Sequence, residues 1–107
     1  MTNYSLKTKN VNSKALLKEV SNFIGEIIDN FNVIWDSDSQ RDAILEVVDE
    51  FLEDMKNNDN KIEQWNVVCD ARNNKIKDTE GKITHLDVYY CQRHCYNVTE
   101  LQYTIKR

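Results

Sequence analysis

The sequence predicts an α+β domain in which two helices cover one face of a small, mainly antiparallel β-sheet with exposed edges and extended terminal arms. Apolar residues recur at helical spacing in the first half of the chain and alternate at strand spacing in the second half. A length of 107 residues suits one domain. We therefore expect residues 1–10 to form an N-terminal arm. Residues 11–107 then form a single domain that includes a C-terminal strand or arm at 98–107.

The first predicted helix runs from Ser13 to Phe31, with Ser13 as its N-cap. Its apolar residues follow the stripe of an amphipathic helix, and they are Leu16, Val20, Phe23, Ile24, Ile27, Ile28 and Phe31. The helical period is lost in residues 30–37. This segment is therefore predicted to cross to the next element.

The second predicted helix begins near Ser39, which forms a capping-box-like S-x-x-D pair with Asp42. The residues of its buried stripe are Ile44, Val47, Val48, Phe51, Leu52 and Met55. Residues 57–60 (N-N-D-N) are predicted to end the helix.

The second helix is strongly acidic. Residues 36–54 contain eight acidic residues and one basic residue, a net charge of −7, whereas the whole chain carries −4. Such a face is typical of a solvated helix surface, and the alternative is an electrostatic docking face for a partner. The candidate contact residues on that face are Glu46, Asp49, Glu50 and Glu53.

Three segments alternate as β-strands do: residues 62–70, 82–90 and 98–106. One face of the first strand carries Trp65, Val67 and Cys69. In the second strand Thr84, Leu86, Val88 and Tyr90 face one way and Ile83, His85, Asp87 and Tyr89 the other, and one side of the third carries Leu101, Tyr103 and Ile105. The turns between the first two strands contain Asn73 and Asn74, one of which is expected in the left-handed conformation, and Gly81, which is expected at positive φ.

A sheet of three strands leaves two open edges. The C-terminal strand and the N-terminal arm, with its weak alternation at Tyr4 and Leu6, are natural donors for pairing between chains. The residues that we expect to pair with neighbouring chains are Tyr4, Leu6, Leu101, Tyr103 and Ile105.

Composition excludes several classes of protein. No apolar run approaches the ~20 residues that span a bilayer, and the first ten residues lack the apolar region of a secretory signal. We therefore expect the chain to remain in the cytoplasm where it is made and to have no membrane partner. The net charge of −4 does not favour nucleic-acid binding. Three cysteines, an odd number, argue against a disulfide framework.

The cysteines and histidines offer two kinds of chemical site, a metal centre and a nucleophilic one. Cys91, His94 and Cys95 carry ligand types that zinc prefers, but paired ligand knuckles are missing. We predict no metal or other cofactor, with these three residues as the alternative. The Cys–His pair lacks a glycine-rich oxyanion turn. The sequence therefore predicts no catalytic residues and no enzyme, and an enzyme using Cys91 or Cys95 is the least supported reading.

The stretch from residue 36 onward resembles the C-terminal, inner domain of contractile phage tail sheath proteins. The resemblance is carried by W-N-V-V-C-D at 65–70, N-N at 73–74, I-T-H-L-D-V-Y-Y at 83–90, Arg93 in the following loop and L-Q-Y-T-I at 101–105. The first helix also matches the family in position and character, so the resemblance covers residues 11–107. The family commonly has a proline where this chain has Cys91, and sheath proteins are several times longer.

The resemblance implies a structural virion protein of a contractile tail, assembled in the host cytoplasm. In sheaths the inner domains are joined by strand exchange, in which terminal arms of neighbours add to the sheet of one domain around the tail tube. The partners implied are neighbouring copies or sheath-like subunits, and tail tube or baseplate proteins, with the chain acting as a homo-oligomer. The alternative function is a small zinc-stabilised adaptor or binding module in a phage or host complex.

Overall fold

The structure, a computed structural model, describes residues 3–30 and 38–106, and for residues 38–40 and 79 it describes the backbone alone. The elements in chain order are β1 (Asn3–Lys9), α1 (Lys14–Asn30), α2 (Asp38–Asn57), β2 (Ile62–Val68), α3 (Ile76–Glu80), β3 (Ile83–Gln92) and β4 (Val98–Lys106). The four strands form an antiparallel sheet in the order β1-β4-β3-β2. The predicted α+β fold class is confirmed.

Helix α1 begins as the sequence predicts. The Leu16 backbone N–H donates to the Ser13 hydroxyl at 3.2 Å, which satisfies one of the free donors of the first turn. The predicted stripe is buried apart from Phe23, whose ring stacks on that of Phe51 in α2 with centroids 3.8 Å apart. Phe31 lies outside the described residues.

Helix α2 begins at Asp38, so Ser39 lies inside the first turn and not before it. Its buried stripe is confirmed, with Val47 and Phe51 half-buried at the margin. The helix ends at Asn57 as predicted, and Asn60 has φ 60° in the loop that follows. In the described ranges no helix is long and apolar enough to cross a membrane.

The helices cover one face of the sheet. In β3 and β4 every second residue is buried, and the register sets Leu86 opposite Tyr103 and Val88 opposite Leu101. Helix α2 lies against β2. The Tyr103 hydroxyl donates to the backbone carbonyl of Ser21 in α1 at 3.3 Å, so α1 lies over the β4 side of the sheet.

The N-terminal residues correct the predicted arm. Residues 3–9 form a fourth strand, β1, which pairs with β4 of the same chain from Asn3 opposite Lys106 to Lys9 opposite Glu100. The domain therefore includes residues that were assigned to a separate arm. The sequence signal was weak because β1 places only Tyr4, Leu6 and Thr8 on the helix-covered face, and the strand is largely exposed.

The pairing of β1 with β4 also changes which strands form the edges of the sheet. The C-terminal strand was expected to be open, but β4 is an interior strand in which Leu101, Tyr103 and Ile105 are buried. Among the described strands, the two edges belong to β1 and β2.

Two turn predictions are wrong. None of the three residues Asn73, Asn74 and Gly81 has positive φ. Residues 76–80 form the short helix α3 where a turn was expected, and the Gly81 N–H completes a helical bond to the Lys77 carbonyl at 3.0 Å. Glycine's freedom is therefore not used at position 81, and the left-handed residue is Lys82, at φ 59°.

Gly25 is required by a close contact and not by its backbone angle. A Cβ at this position would lie 2.5 Å from the Tyr4 hydroxyl and 3.5 Å from the carbon that bears it. The Tyr4 ring also lies against Tyr103, with centroids 5.6 Å apart. Gly25 therefore provides the space in which β1 packs on α1.

We expect the effect of Gly25→Ala to depend on the Tyr4 hydroxyl. In a Tyr4→Phe background the new methyl group makes ordinary contact, and the better helix former should stabilise the protein by about 0.5–1 kcal/mol. In the wild-type background the methyl group displaces the hydroxyl, and overpacking of about 1–3 kcal/mol should cancel or reverse that gain. Urea unfolding of the wild type, the two single variants and the double variant measures the difference, and equal effects of Gly25→Ala in both backgrounds would contradict it.

Candidate functional site

Strand β1 is attached to the domain mainly by its backbone. It pairs with β4 over seven residues, yet all of its side chains are exposed except that of Leu6, which is half-buried. Its apolar contacts are those of Leu6 with the core and of the Tyr4 ring with Tyr103 and Gly25. The structure thus leaves Tyr4 and Leu6 in the predicted pairing segment, while their partners on β4 belong to the same chain.

A four-residue connection, Asn10 to Ser13, joins β1 to α1. Asn10 has φ 58°, a conformation that asparagine adopts more readily than most residues. The Thr99 hydroxyl donates to the Asn10 carbonyl at 2.8 Å, and the Asn12 side-chain amide donates to the Asn97 carbonyl at 3.1 Å. These two bonds hold the connection against the start of β4.

The acidic face of α2 is present as predicted, with Glu46, Asp49, Glu50 and Glu53 all exposed. Asp49 differs from the others because its carboxylate accepts a hydrogen bond from the Trp65 indole N–H at 2.7 Å. Asp49 therefore holds α2 to β2. The Lys56 ammonium lies 5.6 Å from the centre of the Trp65 ring, within cation–π range. The sequence did not indicate this tie, since Asp49 and Trp65 have no shared motif.

The N-N pair holds the β2–α3 loop to β3. Asn74 is buried, and its side chain makes three backbone hydrogen bonds: it accepts from the His85 N–H at 2.7 Å and donates to the carbonyls of His85 and Asp70 at 3.0 and 3.1 Å. Asn73 accepts from the Asp70 N–H at 3.0 Å and donates to the Val68 carbonyl at 2.8 Å. These bonds satisfy backbone groups that the end of β2 leaves unpaired.

Asp70 closes the same loop. Its carboxylate accepts from the Arg72 backbone N–H at 2.9 Å and pairs with the guanidinium at 2.8 Å. These hydrogen bonds from Arg72 hold the pKa of Asp70 below its usual range. The polar side chains of the V-V-C-D…N-N motif therefore hold the backbone of their own loop and tie that loop to β3.

The uncovered face of the sheet carries a shallow polar cleft of about 290 Å³ lined by Lys7, Asn73, His85, Asp87, Gln102, Tyr103 and Thr104. The Asn73 amide donates to the Asp87 carboxylate at 3.0 Å, and the His85 ring lies 3.6 Å from the Asp78 carboxylate. Both acidic groups already have partners within the fold. The cleft follows from strand register, which the sequence pattern did not reveal.

The cysteines are not gathered into a metal site. Cys69 is buried, and burial raises the pKa of its thiol to about 12, so it stays protonated. The Cys91 sulfur lies 3.2 Å from the Cys95 carbonyl oxygen, whereas His94 is exposed. Within residues 3–30 and 38–106, no three His, Cys, Asp or Glu side chains are placed to hold a metal ion.

The chain matches no protein-family model, no curated protein and no solved structure.

We expect Asn74→Ala to destabilise the domain strongly, because it leaves the backbone groups of His85 buried without partners at a cost of about 2–3 kcal/mol. Arg72→Ala is the matched control in the same loop, since its ion pair with Asp70 is exposed and should matter little. Thermal and urea unfolding measure both. Equal losses of stability in the two variants would show that the Asn74 network is not what holds the loop.

Proposed function

We propose that this protein is a non-enzymatic assembly module of a contractile phage-type tail that joins neighbouring subunits by exchanging β1. One observation carries the proposal: β1 completes the sheet through a seven-residue backbone ladder, and its only apolar side chains are those of Leu6, which is half-buried, and of Tyr4, which is 40% exposed. The same ladder forms equally well when β1 comes from a neighbouring copy. The pairing partners are then Tyr4 and Leu6 of one subunit and the strand with Leu101, Tyr103 and Ile105 of the next.

The energetics favour exchange over unfolding. Each backbone hydrogen bond of the ladder contributes a net ~0.5–1.5 kcal/mol, and every one of them is regained in the exchanged form. The bonds from Thr99 to Asn10 and from Asn12 to Asn97 tie the connection to its own chain and oppose exchange. The exchanged form therefore needs a high local concentration of neighbours, as an assembled array provides.

The connection limits the geometry of the assembly. Four extended residues span at most about 14 Å. The β4 strand of the accepting subunit must therefore lie close to the start of α1 in the donor subunit. Neighbours joined in this way are in direct contact, as in a ring or a helical array with closely packed inner domains.

The tail context rests on the resemblance to sheath inner domains. The motif at residues 65–74, the strand pattern at 83–90 and the final strand at 101–105 support it. The α+β fold, with helices on one face of the sheet, is compatible with such a module. The tail tube, baseplate proteins and sheath-like subunits are the partners that this context supplies.

Strand exchange predicts a specific crosslink between chains. Ser5 and Thr104 face each other across β1 and β4 on the uncovered face of the sheet. Chains with Ser5→Cys, mixed with chains carrying Thr104→Cys and co-assembled at high concentration, should form disulfide-linked heterodimers on oxidation. Both variants also carry Cys91→Ser and Cys95→Ser to remove background thiols. Non-reducing electrophoresis with mass mapping detects the product.

The register provides the control. Glu100 lies opposite Lys9, four residues from the Ser5 pairing position. Ser5→Cys mixed with Glu100→Cys should give little crosslink. A Ser5→Cys, Thr104→Cys double variant should crosslink within one chain and report that β1 pairs as described. If the double variant crosslinks while the mixed single variants stay unlinked at every concentration, exchange does not occur.

We further propose the acidic face of α2 as the contact for a basic surface on a tube or baseplate protein. Reversal of Glu46, Glu50 and Glu53 to lysine should weaken binding to such a partner at low salt and leave the fold intact, because these side chains are exposed. Asp49 must be left unchanged, since it holds Trp65. Co-sedimentation with assembled tails measures binding. Unchanged binding by the triple variant would remove this face from consideration.

A further inference from the structure

Cys91 and Cys95 lie at the two ends of a tight loop between β3 and β4. Cys91 is in the last part of β3, and Cys95 closes the turn through a bond from its N–H to the Gln92 carbonyl at 3.0 Å. The Cys91 sulfur lies 3.2 Å from the backbone carbonyl oxygen of Cys95. Both side chains are half-buried and both thiols are free.

We propose that Cys91 and Cys95 are a reversible disulfide pair whose oxidant is a low-molecular-weight disulfide such as oxidised glutathione. A disulfide needs α-carbons about 4.4–6.8 Å apart. The closed turn brings Gln92 and Cys95 within about 7 Å of each other, and Cys91 directly precedes that turn. The Cys91 sulfur already lies against the backbone of Cys95, so the two cysteines approach each other across the loop.

The loop is held from outside the pair. The Arg93 N–H donates to the Lys61 carbonyl at 3.0 Å, and the Asn97 carbonyl accepts from Asn12 at 3.1 Å. These contacts hold Arg93, inside the loop, and Asn97, just after it, so the chain around the two cysteines is already ordered in the reduced protein. The third cysteine, Cys69, is buried on the helix-covered side of the sheet. Its position therefore separates its thiol from those of Cys91 and Cys95.

The exchange is balanced as two successive displacements. The thiolate of one cysteine attacks a sulfur of oxidised glutathione, which forms a mixed disulfide and releases one glutathione. The second protein thiolate then attacks the protein sulfur of that mixed disulfide, and the second glutathione leaves. Two protein thiols lose two electrons and two protons, and one oxidised glutathione becomes two reduced ones.

Formation of the Cys91–Cys95 disulfide would constrain the loop that precedes an exposed aromatic side chain. Tyr96 lies between the pair and β4 and is fully exposed. Closing the Cys91–Cys95 ring reduces the conformations open to residues 92–94, in the loop that directly precedes Tyr96. This device does not depend on strand exchange.

The test is the fate of the glutathione adduct on the intact protein. After treatment with oxidised glutathione well below the millimolar effective concentration expected of a neighbouring thiol, the wild type should lose two hydrogen atoms in mass. The wild type should retain at most about one tenth of the glutathione adduct found on Cys91→Ser or Cys95→Ser, because the second displacement is impossible in those variants. Peptide mapping should place the bond between Cys91 and Cys95, with Cys69 still a thiol.

Several results would overturn the proposal. The wild type could retain as much glutathione adduct as the single variants, or its thiols could fail to react with the oxidant. Alternatively, oxidation could give disulfide-linked dimers or a bond to Cys69 in place of the Cys91–Cys95 bond. Circular dichroism checks that the serine variants fold, and Cys91→Ala and Cys95→Ala replace any that do not. The mass of the oxidised wild type is itself decisive and needs no variant.

Discussion

The interior position of β4 is the constraint on which the rest of the fold depends. β4 pairs with β1 on one side and with β3 on the other, so it joins the N-terminal strand to the strands of the second half of the chain. Its Tyr103 side chain also reaches α1, donating to the Ser21 carbonyl. Burial raises the pKa of Tyr103, so the hydroxyl keeps the proton that this bond requires. A single strand thus connects β1, β3 and the helix layer.

The most specific sequence motif has a structural explanation. Asn73, Asn74 and Asp70 satisfy the backbone of the loop that leaves β2. The motif therefore explains how that part of the chain folds. β1, in contrast, is held mainly by its backbone ladder to β4, together with the packing of Leu6 on the core and of Tyr4 on Tyr103.

The two candidate contact surfaces lie at different edges of the molecule. β1 is one edge strand of the sheet, whereas α2 packs against β2, the other edge strand. Their charges also differ: the described face of α2 is acidic, while the charged residues of β1 are Lys7 and Lys9. The proposed exchange of β1 and the proposed contact through α2 would therefore use separate surfaces.

The sequence by itself determined the elements with strong periodicity. The stripe of α1, the stripe of α2 and the alternation of β3 and β4 were all readable because each buries one continuous face. Tertiary structure decided the rest. β1 buries too little to leave a pattern, so its place beside β4 is set by backbone pairing. The tie between Asp49 and Trp65, the need for Gly25 beneath Tyr4 and the approach of Cys91 to Cys95 depend on contacts in three dimensions, which no local pattern records.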